Sequence, residues 1–165
     1  MATTDLSSYD PERIPSSAGM RFGLVVSDWN HEVTWNLLKG AVSILKKHGA
    51  SDKNIIVEHV PGSFELPLAA QLIRENYDID AVICLGCVIQ GETPHFTYVC
   101  QGVTRGISQL NLKYGIPFVF GLLTTDTYQQ AVDRSGGKHG NKGDEAAVTA
   151  IRMVDMVKRL HKETT

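Results

Sequence analysis

The sequence predicts an α/β fold, a three-layer αβα sandwich of the flavodoxin-like kind around a four-stranded parallel sheet. Three observations predict it. Four short apolar runs, residues 21–26, 54–60, 80–89 and 116–123, alternate with segments of helical periodicity. Strands that alternate with helices of this length pair in parallel, with both faces of the sheet covered. Residues 80–89 are almost wholly apolar, as a central strand buried on both faces must be. The length, 165 residues, suits one domain.

Each element has a local reason. Residues 1–19 are polar, carry Pro11, Pro15 and Gly19, and show no periodicity. They read as an arm or disordered tail ahead of a single domain over 20–165. Residues 21–26 form a short buried strand, and Ser27-Asp28-Trp29-Asn30 its loop. Asn30 is expected to cap a helix reaching about His48, with Val33, Leu37, Ala41, Ile44 and Leu45 as its apolar stripe and Gly49 as its stop. After the second strand, 54–60, Pro61-Gly62 turns the chain. A helix then begins near 63–65, because Pro67 is tolerable only in a first turn. The third strand, 80–89, leads to a helix over 97–113 with Val99, Val103, Ile107 and Leu110 on one face. Gly102 and Gly106 each weaken that helix by about 1 kcal/mol against Ala, so a neighbouring element is expected to pass close there. The fourth strand, 116–123, has Pro117 at its edge. A short helix at 127–131, a glycine-rich loop at 135–143 and a last helix over 144–160 complete the chain.

The 16 basic and 18 acidic residues, net charge -2, exclude the clustered basic footprint of a nucleic-acid binder. The mildly basic 158–162 suits a solvated helix end. No run reaches membrane-spanning length, and the first residues lack the basic start and apolar core of a signal peptide. Cys84 and Cys87 make a CxxC, but inside an apolar strand rather than at a helix start, and no second Cys/His pair completes a zinc site. They read as ordinary buried thiols of a reducing, cytoplasmic compartment. No metal or cofactor is expected.

Chemistry is expected at the strand ends, where ligands bind in open α/β sheets. His95 follows the central strand at the head of a helix, where the dipole favours neutral imidazole, the form a general base needs. It reads equally as a surface residue capping its own helix. Gln90-Gly91-Glu92-Thr93 offers backbone N–H groups and a hydroxyl to an anion, without the P-loop or dinucleotide pattern. Trp29 and Phe120 fall past strand ends and could grip a flat heterocycle, or merely cap the core. Ser63 and Glu65 are already explained as a cap and a dipole complement. The stretch from Asp133 to Glu145 holds four glycines, one arginine, two lysines and a histidine, either a charged linker or a phosphate loop.

Three motifs, Pro61-Gly62-Ser63-Phe64-Glu65-Leu66-Pro67, Gly91-Glu92-Thr93 with His95-Phe96, and Asn141-Lys142-Gly143 with Glu145-Ala146-Ala147, resemble those of the 6,7-dimethyl-8-ribityllumazine synthase family of riboflavin synthesis. The likeness runs from about Phe22 to Leu160. It implies two small-molecule substrates, 5-amino-6-(D-ribitylamino)uracil and 3,4-dihydroxy-2-butanone 4-phosphate, condensed to the lumazine with release of phosphate and water. By that resemblance Trp29 stacks on the pyrimidine. Asn30, Gly62, Ser63, Phe64 and Glu65 hold or line the ribityl chain, and Val88 and Ile89 meet the uracil edge. Gln90, Gly91, Glu92 and Thr93 form the phosphate turn, Arg134 binds phosphate from a neighbouring subunit, and His95 transfers protons. Phe120 is contributed across the interface, and Lys142 stands beside the substrates. No metal or cofactor is implied.

Two departures bear on rate. Gln90 stands where many relatives carry Lys or Arg, and Pro94 removes an N–H donor before His95. The alternative from another class is a non-catalytic lumazine- or flavin-binding carrier of the same fold. A flavodoxin-like electron carrier and a mainly structural shell are the further rivals. The resemblance also implies pentamers with active sites between adjacent subunits, and shells of about sixty chains. The compact 136–143 loop favours the shell. Pro11 and Pro15 weigh against pairing of the arm with a neighbour's sheet. Riboflavin synthase is a candidate partner.

Overall fold

The computed structural model describes residue 5 and residues 7–162. Four parallel strands, β1 (Phe22–Ser27), β2 (Ile55–Val60), β3 (Ala81–Ile89) and β4 (Phe118–Thr125), form one sheet in the order β2-β1-β3-β4. The helices are α1 (His31–Lys47), α2 (Leu66–Asn76), α3 (His95–Tyr114), α4 (Tyr128–Asp133) and α5 (Lys142–Lys162). A small antiparallel hairpin, β5 (Ser135–Gly137) and β6 (Gly140–Asn141), lies between α4 and α5.

The period of two along β1 sorts the core into two layers. Phe22, Leu24 and Val26 pack with Leu37, Ala41 and Leu45 of α1 and Ala147, Ile151 and Val154 of α5. Val25 joins Val82 and Cys84 against Leu66, Ala70 and Ile73 of α2 and Val103 and Ile107 of α3. Phe22, Leu24, Val25, Val26, Ile83 and Leu85 are wholly buried, each worth about 1.5–3 kcal/mol of transfer free energy. The three-layer expectation therefore holds, with α1 and α5 on one face and α2 and α3 on the other.

Several boundaries differ from expectation, each for a local reason. β4 starts at Phe118, because Pro117 has no N–H for the ladder, and runs on to Thr125. Thr124 and Thr125 pair with Val88 and Ile89. Phe120 consequently sits in mid-strand opposite Cys84, not past a strand end. α3 begins at His95 rather than 97. The glycine-rich 135–143 stretch is a hairpin, not a loop, in which Gly136 and Gly140 take positive φ of 107° and 80° that other residues resist.

Residues 7–20 form a strap on α1 of their own chain. Ser17 donates its N–H to His48 O at 2.8 Å and its hydroxyl to Leu45 O at 2.9 Å, and Ile14 and Met20 are buried. The pairing with a neighbour expected of residues 1–19 falls partly on residues 1–4 and 6, which lie outside the described residues. Among the described residues no helix is long and apolar enough to cross a membrane, and no group of three or more His, Cys, Asp or Glu is placed to hold a metal.

Candidate active site

Sequence order and sheet order part company between β1 and β3: β2 lies on one side of β1, and the chain then crosses to build β3 and β4 on the other. That reversal opens a crevice at the carboxyl ends of the strands. A cleft of about 720 Å³ lies there. Trp29 and Asn30 enter from the end of β1, Gly62, Ser63, Phe64 and Glu65 from the turn after β2, Cys87, Val88 and Ile89 from β3, and His95, Tyr98 and Val99 from α3.

Asn30 has a backbone role and a side-chain role. It takes the left-handed conformation (φ 59°), the one described non-glycine residue with positive φ, and its carbonyl accepts from Val33 N and Thr34 N. Its side chain does not cap α1, contrary to expectation. It turns away and donates from Nδ2 to Cys87 O at 3.0 Å, bridging β1 to β3 across the crevice. Asparagine tolerates this conformation better than most residues, so both roles fit one position.

The turn after β2 also differs from the expected cap. Gly62, not Ser63, precedes the 3-10 turn Ser63–Glu65, and Glu65 Oε2 accepts from Gly62 N at 3.0 Å. Ser63 is buried, its hydroxyl 3.5 Å from that of Ser27. Trp29 and Phe64 are 73% and 61% exposed, far more than large aromatics need for a fold alone, which leaves their faces available to a flat ligand. Gly102 accounts for the position of Phe64: a Cβ there would lie 2.7 Å from the ring. Gly106 stands likewise against Pro67, at 2.7 Å, so the close approach expected from both glycines is present.

Gln90, Gly91, Glu92 and Thr93 are exposed between β3 and α3. Gln90 N donates to Thr125 O and its side chain to Gly91 O. The amides of Gly91, Glu92 and Thr93 donate to no group among the described residues. They stand beside the first turn of α3, in which Thr97 N and Tyr98 N already donate to Pro94 O. His95 is exposed at the head of that helix, one turn from Tyr98 and Val99.

Gln90, Gly91, Glu92 and Thr93 do not line the cleft, and neither do Phe120, Arg134 and Lys142, which stand on other elements. Phe120 lines a groove of about 960 Å³ along α3, with Phe96 and Thr124. Arg134 is the C-cap of α4, and its carbonyl accepts from Lys142 N at 2.9 Å. Lys142 pairs with Glu145 at 2.7 Å. Asp133 beside Arg134 is held below the usual carboxylate range by hydrogen bonds from Gln129 and Lys138. Burial pushes Cys84 and Cys87 up to about 12, so neither is a thiolate, as expected of core thiols.

Sequence reasoning missed Cys87, Tyr98 and Val99 of the cleft, and the contact of buried Ser27 with Ser63. Tyr98 was legible, since 95, 98 and 99 share a helical face. Ser27 gave no signal, because its partner comes from a different strand end. The bond from Tyr128 Oη to Glu32, 2.5 Å, which ties α4 to α1, was equally invisible.

The model of the 6,7-dimethyl-8-ribityllumazine synthase family matches residues 19–158, which include every residue lining the cleft. The chain is 58% identical to the 6,7-dimethyl-8-ribityllumazine synthase of Parabacteroides distasonis over 157 residues, covering 94% of this chain and 98% of the relative. It is 60% identical over 143 residues to that of Bacteroides fragilis, covering 87% and 100%. Against that of Phocaeicola vulgatus it is 56% identical over 164 residues, 98% of each chain. Identity at this level over the whole domain, with the cleft at the sheet's reversal point, leads to one conclusion: the chain belongs to the 6,7-dimethyl-8-ribityllumazine synthase family.

Proposed function

We propose that the chain condenses 5-amino-6-(D-ribitylamino)uracil with 3,4-dihydroxy-2-butanone 4-phosphate to give 6,7-dimethyl-8-ribityllumazine. The observation that carries this is the family match across the entire domain. The uracil amine adds to the ketone and loses water, forming an imine. A proton leaves the adjacent carbon, and the electron pair expels inorganic phosphate. The resulting enol tautomerises to a ketone, and the ribitylamino nitrogen closes the ring with loss of a second water.

The cleft supports a role for each group. Trp29 offers an open indole face to the pyrimidine. Asn30, Ser63, Phe64 and Glu65 hold the ribityl chain, and the backbone of Val88 and Ile89 meets the uracil edge. His95 moves the protons, a contribution typically of about 10²–10⁴-fold. The free amides of Gly91, Glu92 and Thr93 stabilise the departing phosphate, aided by the dipole of α3. Holding the two reactants together supplies much of the remainder.

Arg134, Lys142 and Phe120 complete the site from an adjacent subunit. Their positions away from the cleft of their own chain support this, as does the open groove around Phe120. The assembly is a pentamer, and pentamers join into a shell. Riboflavin synthase is the partner this reading implies, because it consumes the lumazine. Two fully reduced core thiols suit a cytoplasmic protein.

The test supplies both substrates and follows lumazine absorbance and inorganic phosphate together. One phosphate per lumazine is expected. Lumazine binding without turnover would identify a carrier instead.

A further inference from the structure

Ser7 lies outside the span that the family model matches, yet it is tied to the segment that carries Arg134 and Lys142. Its hydroxyl donates to Asp144 Oδ2 at 2.6 Å and accepts from Asn141 N at 2.9 Å. Asn141 is thereby held at three points. Its N–H goes to Ser7, its Oδ1 accepts from Gly143 N at 2.8 Å, and its Nδ2 donates to Asn36 O of α1 at 2.9 Å. Asn141 pairs with Ser135 in the hairpin, and the next bond along, Lys142 N to Arg134 O, closes it. The knot is seated on Gly40 of α1, where a Cβ would lie 2.7 Å from Asn141 Nδ2 and against Asp144 Oδ1. α1 therefore leaves room for this arrangement by carrying no side chain there.

We infer that Ser7 is a positioning residue: through Asn141 and Asp144 the N-terminal strap sets the register of the hairpin whose two ends carry Arg134 and Lys142, and so tunes the grip on the phosphate of the second substrate. The inference rests on the reading that Arg134 binds that phosphate and that Lys142 stands beside the substrates. The physical basis is short. Arg134 follows a six-residue helix, and Lys142 opens α5 from the hairpin's other end. What fixes the backbone between them is the two-residue strand Gly140–Asn141 and the bonds to it. Removing Ser7 Oγ leaves Asn141 N and Asp144 Oδ2 to water, and the hairpin gains freedom where a phosphate oxygen must be met within a few tenths of an ångström. Ser7 touches no substrate, so the expected loss falls on binding of the phosphorylated ketone and not on the chemical step.

The experiment compares Ser7→Ala, Ser7→Thr, Tyr9→Phe and Arg134→Ala by steady-state kinetics on the assembled enzyme, with a separate titration of inorganic phosphate. Ser7→Ala is expected to raise KM for the phosphorylated ketone and the dissociation constant of inorganic phosphate about three- to tenfold, part of what its two hydrogen bonds contribute, because the effect reaches the phosphate indirectly. kcat and KM for the uracil should hold. Ser7→Thr keeps the hydroxyl and should restore the wild-type values. Tyr9→Phe, which cuts the strap's contact with His48 but not the hairpin knot, should change neither KM. Wild-type phosphate binding in Ser7→Ala alongside weakened binding in Arg134→Ala would overturn the inference and leave the site reading intact. No change in either variant would overturn the site reading and the inference with it. An equal rise in both KM values, or the same effect from Tyr9→Phe, would reduce Ser7 to general stability and so refute the positioning role.

Discussion

At residue scale, His95 and Asn30 show how far a single position can be read. His95 was legible as a candidate because it follows the central strand at the head of a helix, where ligands bind in open α/β sheets, although the same place also suits a helix cap. His95 lines the cleft, with Tyr98 and Val99 one turn on. His95→Ala should lower kcat by about 10²-fold if proton transfer limits the rate. Assembly and uracil binding should be unchanged, since the residue is exposed. Steady-state kinetics beside light scattering check both, and a wild-type kcat would remove His95 from the mechanism. Asn30 was legible only by half. The sequence places an asparagine before a helix, and the common outcome is a side-chain cap. Here the backbone adopts the left-handed region and the side chain is aimed at Cys87 O, a partner 57 positions away. Local pattern carries no trace of such a distant acceptor.

At the scale of elements, the glycines of α3 and α5 separate two kinds of close contact. Gly102→Ala would bring a Cβ 2.7 Å from the Phe64 ring, but that ring is mostly exposed and can swing outward. The helix gains about 1 kcal/mol of propensity in return. Thermal stability should therefore change little while uracil binding weakens, because Phe64 leaves its place in the cleft. Calorimetry with a ligand titration separates the two effects. Gly143→Ala is the contrast. Its Cβ would strike the carbonyl of Leu37, rigid helical backbone, so about 3 kcal/mol of destabilisation is expected, visible as a lower Tm. A third element, the strap, has a pH dependence. Burial, with the charge of Lys47 adding to it, holds His48 below its ordinary 6.5, and Tyr9 Oη lies 3.3 Å from its Nε2. The native state then binds fewer protons than the unfolded chain once the pH drops below 6.5. This stabilisation is complete above 6.5 and is lost as the pH falls through the depressed native value. The protection of the Ser17 and Met20 N–H groups, which fix the strap, taken relative to the intrinsic exchange rate at each pH, should fall between pH 7.5 and pH 5.5 and stay level in His48→Gln. The strands and long helices themselves were readable from periodicity. The hairpin was not, because its strands, Ser135–Gly137 and Gly140–Asn141, are too short to alternate and their glycines look like loop.

At the scale of the whole molecule, the sheet order explains both what one chain holds and what it lacks. The β1/β3 reversal gathers nine of the expected site residues into one cleft, drawn from three strand ends and α3. Such convergence is legible in sequence once the parallel alternation is recognised, because all parallel strands end on the same edge. The hairpin after α4 is a separate feature, and nothing in the pattern of one chain says which cleft it serves. Arg134 and Lys142 stand outside the local cleft, and β4 is an edge strand with an open groove along Phe120. An incomplete site beside an uncovered edge is what a subunit of a ring presents, since a head-to-tail contact repeats until the rotation closes. The family resemblance implies that the ring is a pentamer, and we propose that here, with every site built from two neighbours. The compact hairpin leaves no protruding insertion to keep pentamers apart, so particles of about sixty chains should be seen by light scattering and electron microscopy. Pentamers that persist at high protein concentration and across phosphate and pH conditions would overturn the shell but not the ring. Mixing the impaired His95→Ala with the impaired Arg134→Ala subunits, at a ketone concentration that leaves the latter slow, tests the ring directly. If each site draws on two chains, mixed pentamers hold some sites with both residues intact, and activity should return. If each chain served its own site, no mixture would recover it.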